Sequence, residues 1–380
     1  MDVAKQFYGS SFSDEAYEHA RQTLTDPDSK WSKLINCVLD QTDPNVARTM
    51  ALNLGYEAFF RGTKTIRENR VKYQCNIPWL ILFDPTSACN MHCVGCWAGE
   101  YGYKNNLSFE DMDKIVTEGK ELGVYLYMLT GGEPLVRRGI DELERRLPAI
   151  EGIRELAMTT NGARLAEYAE RLKSAGLDRL NVSLDTLDPE KYRKITRIGS
   201  LSDTLAGLDA ARSAGFTRMK LNAGLMGGVN DDEIPALAEL ARDGAFDVRF
   251  IELMPIGECA DWDRKRFIPA ERVLEVLPGA QRVPSDGVAE LWRPEGWKGT
   301  VGLIRPLSHR FCADCDRIRI TPDGMLKPCL HSAREIPLRG KHGEALVCAI
   351  AEGIGSKPKE HHITDGRTSD SLRGMNRIGG

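Results

Sequence analysis

The stretch Trp79-Leu-Ile-Leu-Phe83-Asp-Pro-Thr-Ser-Ala-Cys89-Asn-Met-His-Cys93-Val-Gly-Cys96 decides how the rest of the chain is read. Its first five residues are an apolar run closed by Asp84-Pro85, the pattern of a short buried strand. Three thiols follow within a few residues, on the loop that leaves the strand's C-terminal end. In parallel β/α sheets that end is where binding sites are assembled. Three thiolates on one loop can hold a [4Fe–4S] cluster by three irons and leave the fourth iron open to an outside ligand. Zinc is the competing reading, and it wants a fourth nearby Cys or His; His92 is squeezed between the thiols.

Downstream the chain alternates strands with helices. Ser108-Phe-Glu-Asp111 is a capping box that opens a helix toward Leu122. Strands are expected at Val124–Leu129, Arg154–Met158, Leu180–Leu184, Met219–Ala223 and Val248–Leu253, and helices at Asp141–Leu147, Leu165–Ala175, Leu201–Ala214 and Asp232–Arg242. Six such repeats fit an α/β fold, either a parallel β/α barrel or an open doubly wound sheet. The pattern breaks near Pro255, and residues 256–380 read as a second domain of short strands with a late helix, Glu344–Ile354. Residues 1–75 read as a helical extension: Asp14–Leu24, Trp31–Leu39 and Asn45–Phe60 carry apolar residues at helical spacing, and Thr63–Gln74 is a polar, basic linker. The domains expected are therefore 1–75, 76–255 and 256–380.

Composition narrows the function. In 380 residues, 51 Lys and Arg face 55 Asp and Glu, so no basic footprint for long nucleic acid exists. The longest apolar run, Ile77–Phe83, is too short to span a bilayer, and the first residues lack the apolar core of a secretory signal. A cytoplasmic location is expected, where ten cysteines point to metal or redox chemistry rather than disulfides. Cys37 and Cys75 fit buried thiols, and His361-His362 fits a solvated loop.

A second triad, Cys312, Cys315 and Cys329, again has no obvious fourth cysteine. His309 and His331 lie nearby in sequence, which keeps a mixed Cys/His zinc site open. Interleaved with it, Arg317-Ile318-Arg319 alternates like a strand and puts two guanidiniums on one face. Two such groups suit bidentate binding of a phosphorylated ligand; a solvated charged strand face is the alternative.

Taken together, the Cys89/Cys93/Cys96 spacing, Trp97 just after it and the downstream Gly131-Gly132-Glu133-Pro134 resemble the radical S-adenosylmethionine superfamily. From about Asp141 onward, the last two-thirds of the chain resembles the GTP 3′,8-cyclase family of molybdenum cofactor biosynthesis, most densely in Phe311–Leu330. The resemblance implies a partial (β/α)6 barrel with a C-terminal auxiliary iron–sulfur domain. It implies two [4Fe–4S] clusters, held by Cys89, Cys93 and Cys96 and by Cys312, Cys315 and Cys329. It implies S-adenosylmethionine contacts from Gly95, Gly131, Gly132, Glu133, Ser183 and Met254. GTP contacts would come from Thr159, Lys220, Arg249, Arg317, Ile318 and Arg319, and the tail Gly379-Gly380 would enter the active site. One electron on the first cluster would cleave the cofactor to a 5′-deoxyadenosyl radical, which takes the ribose 3′ hydrogen so that this carbon closes onto purine C8. A flavodoxin or ferredoxin would be the electron donor, and a homodimer is compatible with the resemblance.

This chain also departs from the family. Where the cyclases typically carry basic residues before the first cysteine loop and before Gly131, it has Leu82, Leu126 and Met128. Weaker triphosphate binding is expected on that side. Two other readings are a radical enzyme acting on a peptide or another nucleotide, and a non-catalytic iron–sulfur or zinc-binding regulatory protein. A Gly-Gly-Glu-Pro turn paired with Ser183 has no use in the last of these.

Overall fold

The computed structural model describes residues 14–29, 32, 63–78, 80–94, 96, 105–147, 155–217, 219–285, 288–312, 315, 317–361, 363 and 369–371. The expected helices Trp31–Leu39 and Asn45–Phe60, together with Gly95, Trp97, Cys37, His362, Gly379 and Gly380, lie outside the described residues, apart from Ser32.

The chain divides into two compact units, Met1–Gln74 and Cys75–Gly380. In the first, Asp14–Thr25 is helical as its spacing predicts. Thr63–Tyr73 is also a helix, not a linker, with Arg70 and Lys72 in its last turn, where cations suit the helix dipole.

The second unit is built on one sheet. Its strands are β1 (Leu80–Phe83), β2 (Leu126–Leu129), β3 (Glu155–Thr160), β4 (Arg179–Ser183), β5 (Met219–Leu225), β6 (Asp247–Glu252), β7 (Gln281–Val283), β8 (Glu290–Arg293), β9 (Val301–Ile304), β10 (Arg317–Ile320), β11 (Met325–Lys327) and β12 (Ile336–Pro337). The spatial order is β12-β11-β10-β1-β2-β3-β4-β5-β6-β9-β8-β7, so the sheet curls without closing. The six strands read from the sequence stand in chain order, all parallel. The C-terminal segment then adds one parallel strand to each side: β10 pairs with β1 and β9 pairs with β6. The parallel run therefore counts eight strands among the described residues. Antiparallel hairpins finish both margins.

The strands alternate in burial, and this alternation decides what faces the lumen. Along β5, Met219, Leu221, Ala223 and Leu225 are buried while Lys220, Asn222 and Gly224 are half-exposed. Along β6 and β10 the same rhythm turns Arg249, Arg317 and Arg319 to the open face. Helices cover the other face. The helix Phe109–Leu122 starts on Ser108, whose hydroxyl accepts the Asp111 N–H, and stops on Gly123 in the left-handed conformation. Leu165–Ala175 stops on Gly176 in the same way. Two helices have no counterpart among the expected elements: the short Arg272–Glu275, and Pro189–Thr196, capped by Asp188 with Pro189 in its first turn. A buried carboxylate clamps the C-terminal segment to the barrel: Glu252 accepts N–H groups from Ala270, Leu307 and Ser308, each at 3.0 Å.

Candidate active site

The first cysteine loop leaves β1 and is fixed by backbone groups and by the Asn161 side chain. Val94 N–H donates to Ile195 O at 2.7 Å and His92 N–H to Thr196 O at 3.2 Å, so the end of helix Pro189–Thr196 carries the loop. Asn161, just after β3, donates to Asn90 Oδ1 at 2.8 Å. The Cys89 thiol is pushed up to about 12 by burial, with Glu133 and Cys96 adding to the effect. Burial and the two other thiols push Cys93 up as well. Three thiols that raise one another's cost of ionisation need a positive partner to ionise together, and iron supplies it. Among the described residues no three His, Cys, Asp or Glu side chains converge on a single ion.

Gly131-Gly132 follows β2 and runs directly beneath this loop. Both have positive φ, +70° and +40°. A Cβ on Gly131 would stand 2.3 Å from Asp84 Cγ, and one on Gly132 would stand 2.4 Å from Ala88 O. Glycine is therefore required twice, by conformation and by close approach. Glu133 N–H donates to Ala88 O at 2.7 Å and completes the cradle.

The Glu133 carboxylate is engaged by its own chain. It accepts the Leu135 N–H at 3.1 Å, the Thr160 hydroxyl at 2.7 Å and the Asn161 N–H at 2.7 Å. Burial raises its pKa, and those three bonds oppose the shift. The side chain is a brace between β2 and β3, and the groups this turn leaves for a ligand are backbone ones.

These parts converge on a cavity of about 310 Å³. It is lined by the three cysteines of the first triad, Gly131, Gly132, Glu133, Thr159, Ser183 and Met254, all named from the sequence. Asp185 and Asn222 line it too and are not among the site residues expected from the sequence, and so does Cys259, whose sequence context fits a buried thiol or a ligand alike. Burial pushes Asp185 up to about 6, against the Gly224 N–H it accepts at 2.8 Å. Asn222 Oδ1 is buried without a hydrogen-bond partner. A buried acceptor left open at the wall of a cavity fits a ligand that donates to it. The alternation of Asn181, Ser183 and Asp185 along one face carried a signal for Asp185, and that of Lys220 and Asn222 along β5 carried one for Asn222.

Lys220, Arg249, Arg317, Ile318 and Arg319 do not line that cavity. Lys220 lies two residues before Asn222, toward the other end of β5, and Arg249 is in register with Asn222. Burial, then Arg249 and Arg179, push Lys220 down to about 7. Arg319 pairs in register with Leu82 and Arg317 with Leu80. Arg319 Nε is buried without a hydrogen-bond partner. The Ile318 side chain is 1% exposed and points to the opposite face from the two arginines. Between the cationic flanks, β1 and β2 are apolar, and the Met128 thioether receives weak contacts at 3.7 Å from Thr159 Oγ1 and Asn181 Nδ2.

The second triad packs beside β10. Burial, Cys329 and Cys315 raise the Cys312 thiol. His361 is not solvated: its ring is 6% exposed, donates from Nε2 to Pro306 O at 2.8 Å and stands 4.9 Å from the His331 ring. Burial first, then His361, push His331 down to about 3, and its Nδ1 lies 3.3 Å from Ser369 Oγ.

Comparison with known proteins agrees with this layout. Residues 83–241 match the Radical SAM superfamily, and residues 246–363 match Molybdenum Cofactor Synthesis C. The GTP 3′,8-cyclase of Alkaliphilus oremlandii is 43% identical over 304 residues, covering 78% of this chain and 95% of its own length. That of Pseudomonas entomophila is 41% identical over 311 residues, covering 78% and 93%. The shared stretch is longer than the segment from Asp141 to the C-terminus, so the likeness also takes in the first cysteine loop. In fold alone the chain resembles Streptococcus suis SuiB bound to its precursor peptide SuiA, with a TM-score of 0.56 at 15% identity, covering 77% of this chain and 71% of that one. The chain belongs to the GTP 3′,8-cyclase family of the radical SAM superfamily.

Proposed function

We propose that this protein converts GTP to 3′,8-cyclo-7,8-dihydro-GTP for molybdenum cofactor synthesis. The observation that carries the reading is one sheet joining two chemistries. The cysteine loop, glycine cradle and Ser183 share a cavity at its strand ends, and the same lumen face continues to Lys220, Arg249, Arg317 and Arg319. In this reading residues 76–255 form the barrel and 256–380 the auxiliary-cluster region.

Cys89, Cys93 and Cys96 would hold one [4Fe–4S] cluster, and Cys312, Cys315 and Cys329 another. When bound, the first cluster and S-adenosylmethionine supply hydrogen-atom abstraction, while the second offers an open iron for the guanine. The chain's own work is binding and orientation. Backbone groups of Gly131 and Gly132, with Ser183 and Met254, would seat the cofactor at the cavity. Lys220, Arg249, Arg317 and Arg319 would gather the phosphates, and Thr159 would contact the nucleotide between them. The glycine tail would close on the substrate from outside the described residues.

The electron donor we propose is an acidic carrier such as flavodoxin or ferredoxin. Arg193, Lys194, Arg197 and the 60% exposed Ile198 surround the end of the helix that carries the first cysteine loop. A basic, apolar-centred surface suits an acidic partner. The nine described cysteines are free thiols, which suits the reducing cytoplasm. Among the described residues no helix is long and apolar enough to cross a membrane.

The test is anaerobic incubation of the reconstituted protein with reductant, S-adenosylmethionine and GTP, followed by product analysis. Cyclised nucleotide together with 5′-deoxyadenosine is expected. Cofactor cleavage without nucleotide consumption would overturn GTP as substrate, and a colourless, iron-free protein would overturn the radical chemistry.

A further inference from the structure

Polar contacts from outside its own loop surround the second cysteine triad. Lys357 follows the helix Glu344–Gly355. Its ammonium donates to Cys315 Sγ at 3.2 Å, to Arg317 O at 3.0 Å and to the Cys315 carbonyl. An ammonium has three donors, and all three are used here. Among the described residues Lys357 pairs with no carboxylate, so the Cys315 sulfur is its one candidate anion. Four residues later the His361 backbone N–H donates to the Cys312 sulfur. The His361 ring is itself pinned to Pro306 O and packed on His331. The segment Lys357–His361 is thus a strap across two of the three thiols.

We infer that Lys357 is a positioning residue for the second cluster: a fixed cation that offsets the charge of the Cys315 thiolate and ties that ligand to the strand bearing Arg317 and Arg319. The inference rests on the two-cluster reading above. A partly buried ammonium that stays unpaired is costly, and a thiolate beside it removes the cost. Hydrogen bonds and positive charge at a ligating sulfur favour the more negative, reduced state of an iron–sulfur centre. Lys357 therefore raises the potential of the second cluster. Because the same ammonium also holds Arg317 O, it fixes the distance between that cluster and the guanidiniums expected to bind substrate.

The test uses the full chain with Cys89, Cys93 and Cys96 all replaced by Ala, so that only the second cluster contributes a signal. In that background Lys357 is compared with Lys357→Gln, Lys357→Met and Lys357→Arg by iron content and by redox titration followed by electron paramagnetic resonance. All should retain about four irons. At a fixed poise, the Gln and Met variants should shift the oxidised-to-reduced ratio about tenfold toward oxidised, which is 59 mV for a one-electron couple. Arg keeps the charge and should shift it less than about threefold. Loss of iron from both neutral variants with retention in the Arg variant also supports a required cation. Equal potentials in all four proteins would reduce Lys357 to a packing role. An iron-free parent would instead sink the two-cluster reading, and the inference with it.

Discussion

The two cysteine triads are held in different ways. Around Cys89, Cys93 and Cys96 most supports are backbone groups, carbonyls of Ile195 and Thr196 and the glycine cradle closed on Ala88 O, joined by the neutral Asn161 amide at Asn90 and the Cys89 sulfur. Around Cys312 and Cys315 they include a lysine ammonium and a backbone N–H, both from the segment 357–361. A backbone cradle tolerates most side-chain changes but no added Cβ. A side-chain strap is the reverse, since one substitution some forty residues away in sequence alters the ligand's surroundings. Fixed geometry suits the site that must seat the cofactor, and charge tuning suits the one expected to meet a polyanionic substrate.

The largest effect tests whether the two holds are independent. Replacing Cys89, Cys93 and Cys96 with Ala should abolish 5′-deoxyadenosine formation while leaving the second cluster's spectrum intact, because the supports of the second triad among the described residues come from the segment 357–361 and not from the first loop. Residual cofactor cleavage in that protein would contradict the assignment of the first triad.

Gly132→Ala attacks the cradle itself. The new methyl would stand 2.4 Å from Ala88 O and 2.6 Å from Thr86 O, both backbone atoms that cannot rotate away. Overpacking of this kind costs about 1–3 kcal/mol, and it bears directly on the cavity wall. We expect cofactor binding, measured by calorimetry, to weaken by at least about tenfold, with the second cluster unchanged. Gly228→Ala makes a control: that glycine also has positive φ, but an added Cβ meets nothing within 4 Å.

How much of this was legible in the sequence follows from the range of the interactions. Local signals located the elements well: the Ser108 capping box and the apolar runs of β1 to β6 need only neighbours within a turn or a strand. The first triad and the glycine pair were legible because each sits within a few residues of its partners, and the second because Cys312 and Cys315 do, with thirteen residues between Cys315 and Cys329. The parallel pairings of β10 with β1 and of β9 with β6 were not, since strand register over more than fifty residues leaves no local pattern. For the same reason Lys357, Glu252 and the buried state of His361 became visible only in three dimensions. The helix Pro189–Thr196 is a different case: Asp188-Pro189 is a proper start signal, but eight mostly polar residues gave too little apolar periodicity to weigh.

Two lysines extend the comparison to pH. Lys357 is matched by three acceptors; burial first, and then the cations Arg249 and Arg179, push Lys220 down to about 7. Unfolded, Lys220 keeps its proton to about 10.5, and folded only to about 7. Unfolding between those values takes up a proton, so raising pH through that window favours the folded chain. A triphosphate bound beside Lys220 would restore its proton. GTP affinity should therefore fall as pH rises above 7, by up to about tenfold per unit, and Lys220→Met should flatten the profile. Titrating GTP, GDP and guanosine at pH 6.5 and 8.5 also measures what Leu82, Leu126 and Met128 cost on the apolar flank. An unchanged profile in the Met variant would remove Lys220 from the phosphate site.

The smallest expected effect concerns how electrons reach the backbone-held triad. Arg193, Lys194 and Arg197 are exposed at the end of the helix whose last carbonyls hold His92 and Val94. Changing all three to Glu leaves those carbonyls in place, so cofactor cleavage driven by a small chemical reductant should be unaltered. With a flavodoxin as donor the encounter becomes repulsive, and rim charges act mainly on association rate. We expect turnover limited by reduction to slow by about three- to tenfold at low ionic strength and the difference to shrink by 0.5 M salt, where the Debye length is only a few ångströms. If both reductants slowed equally, the charges would be acting through the helix end and the cysteine loop; if neither slowed, the carrier would dock elsewhere.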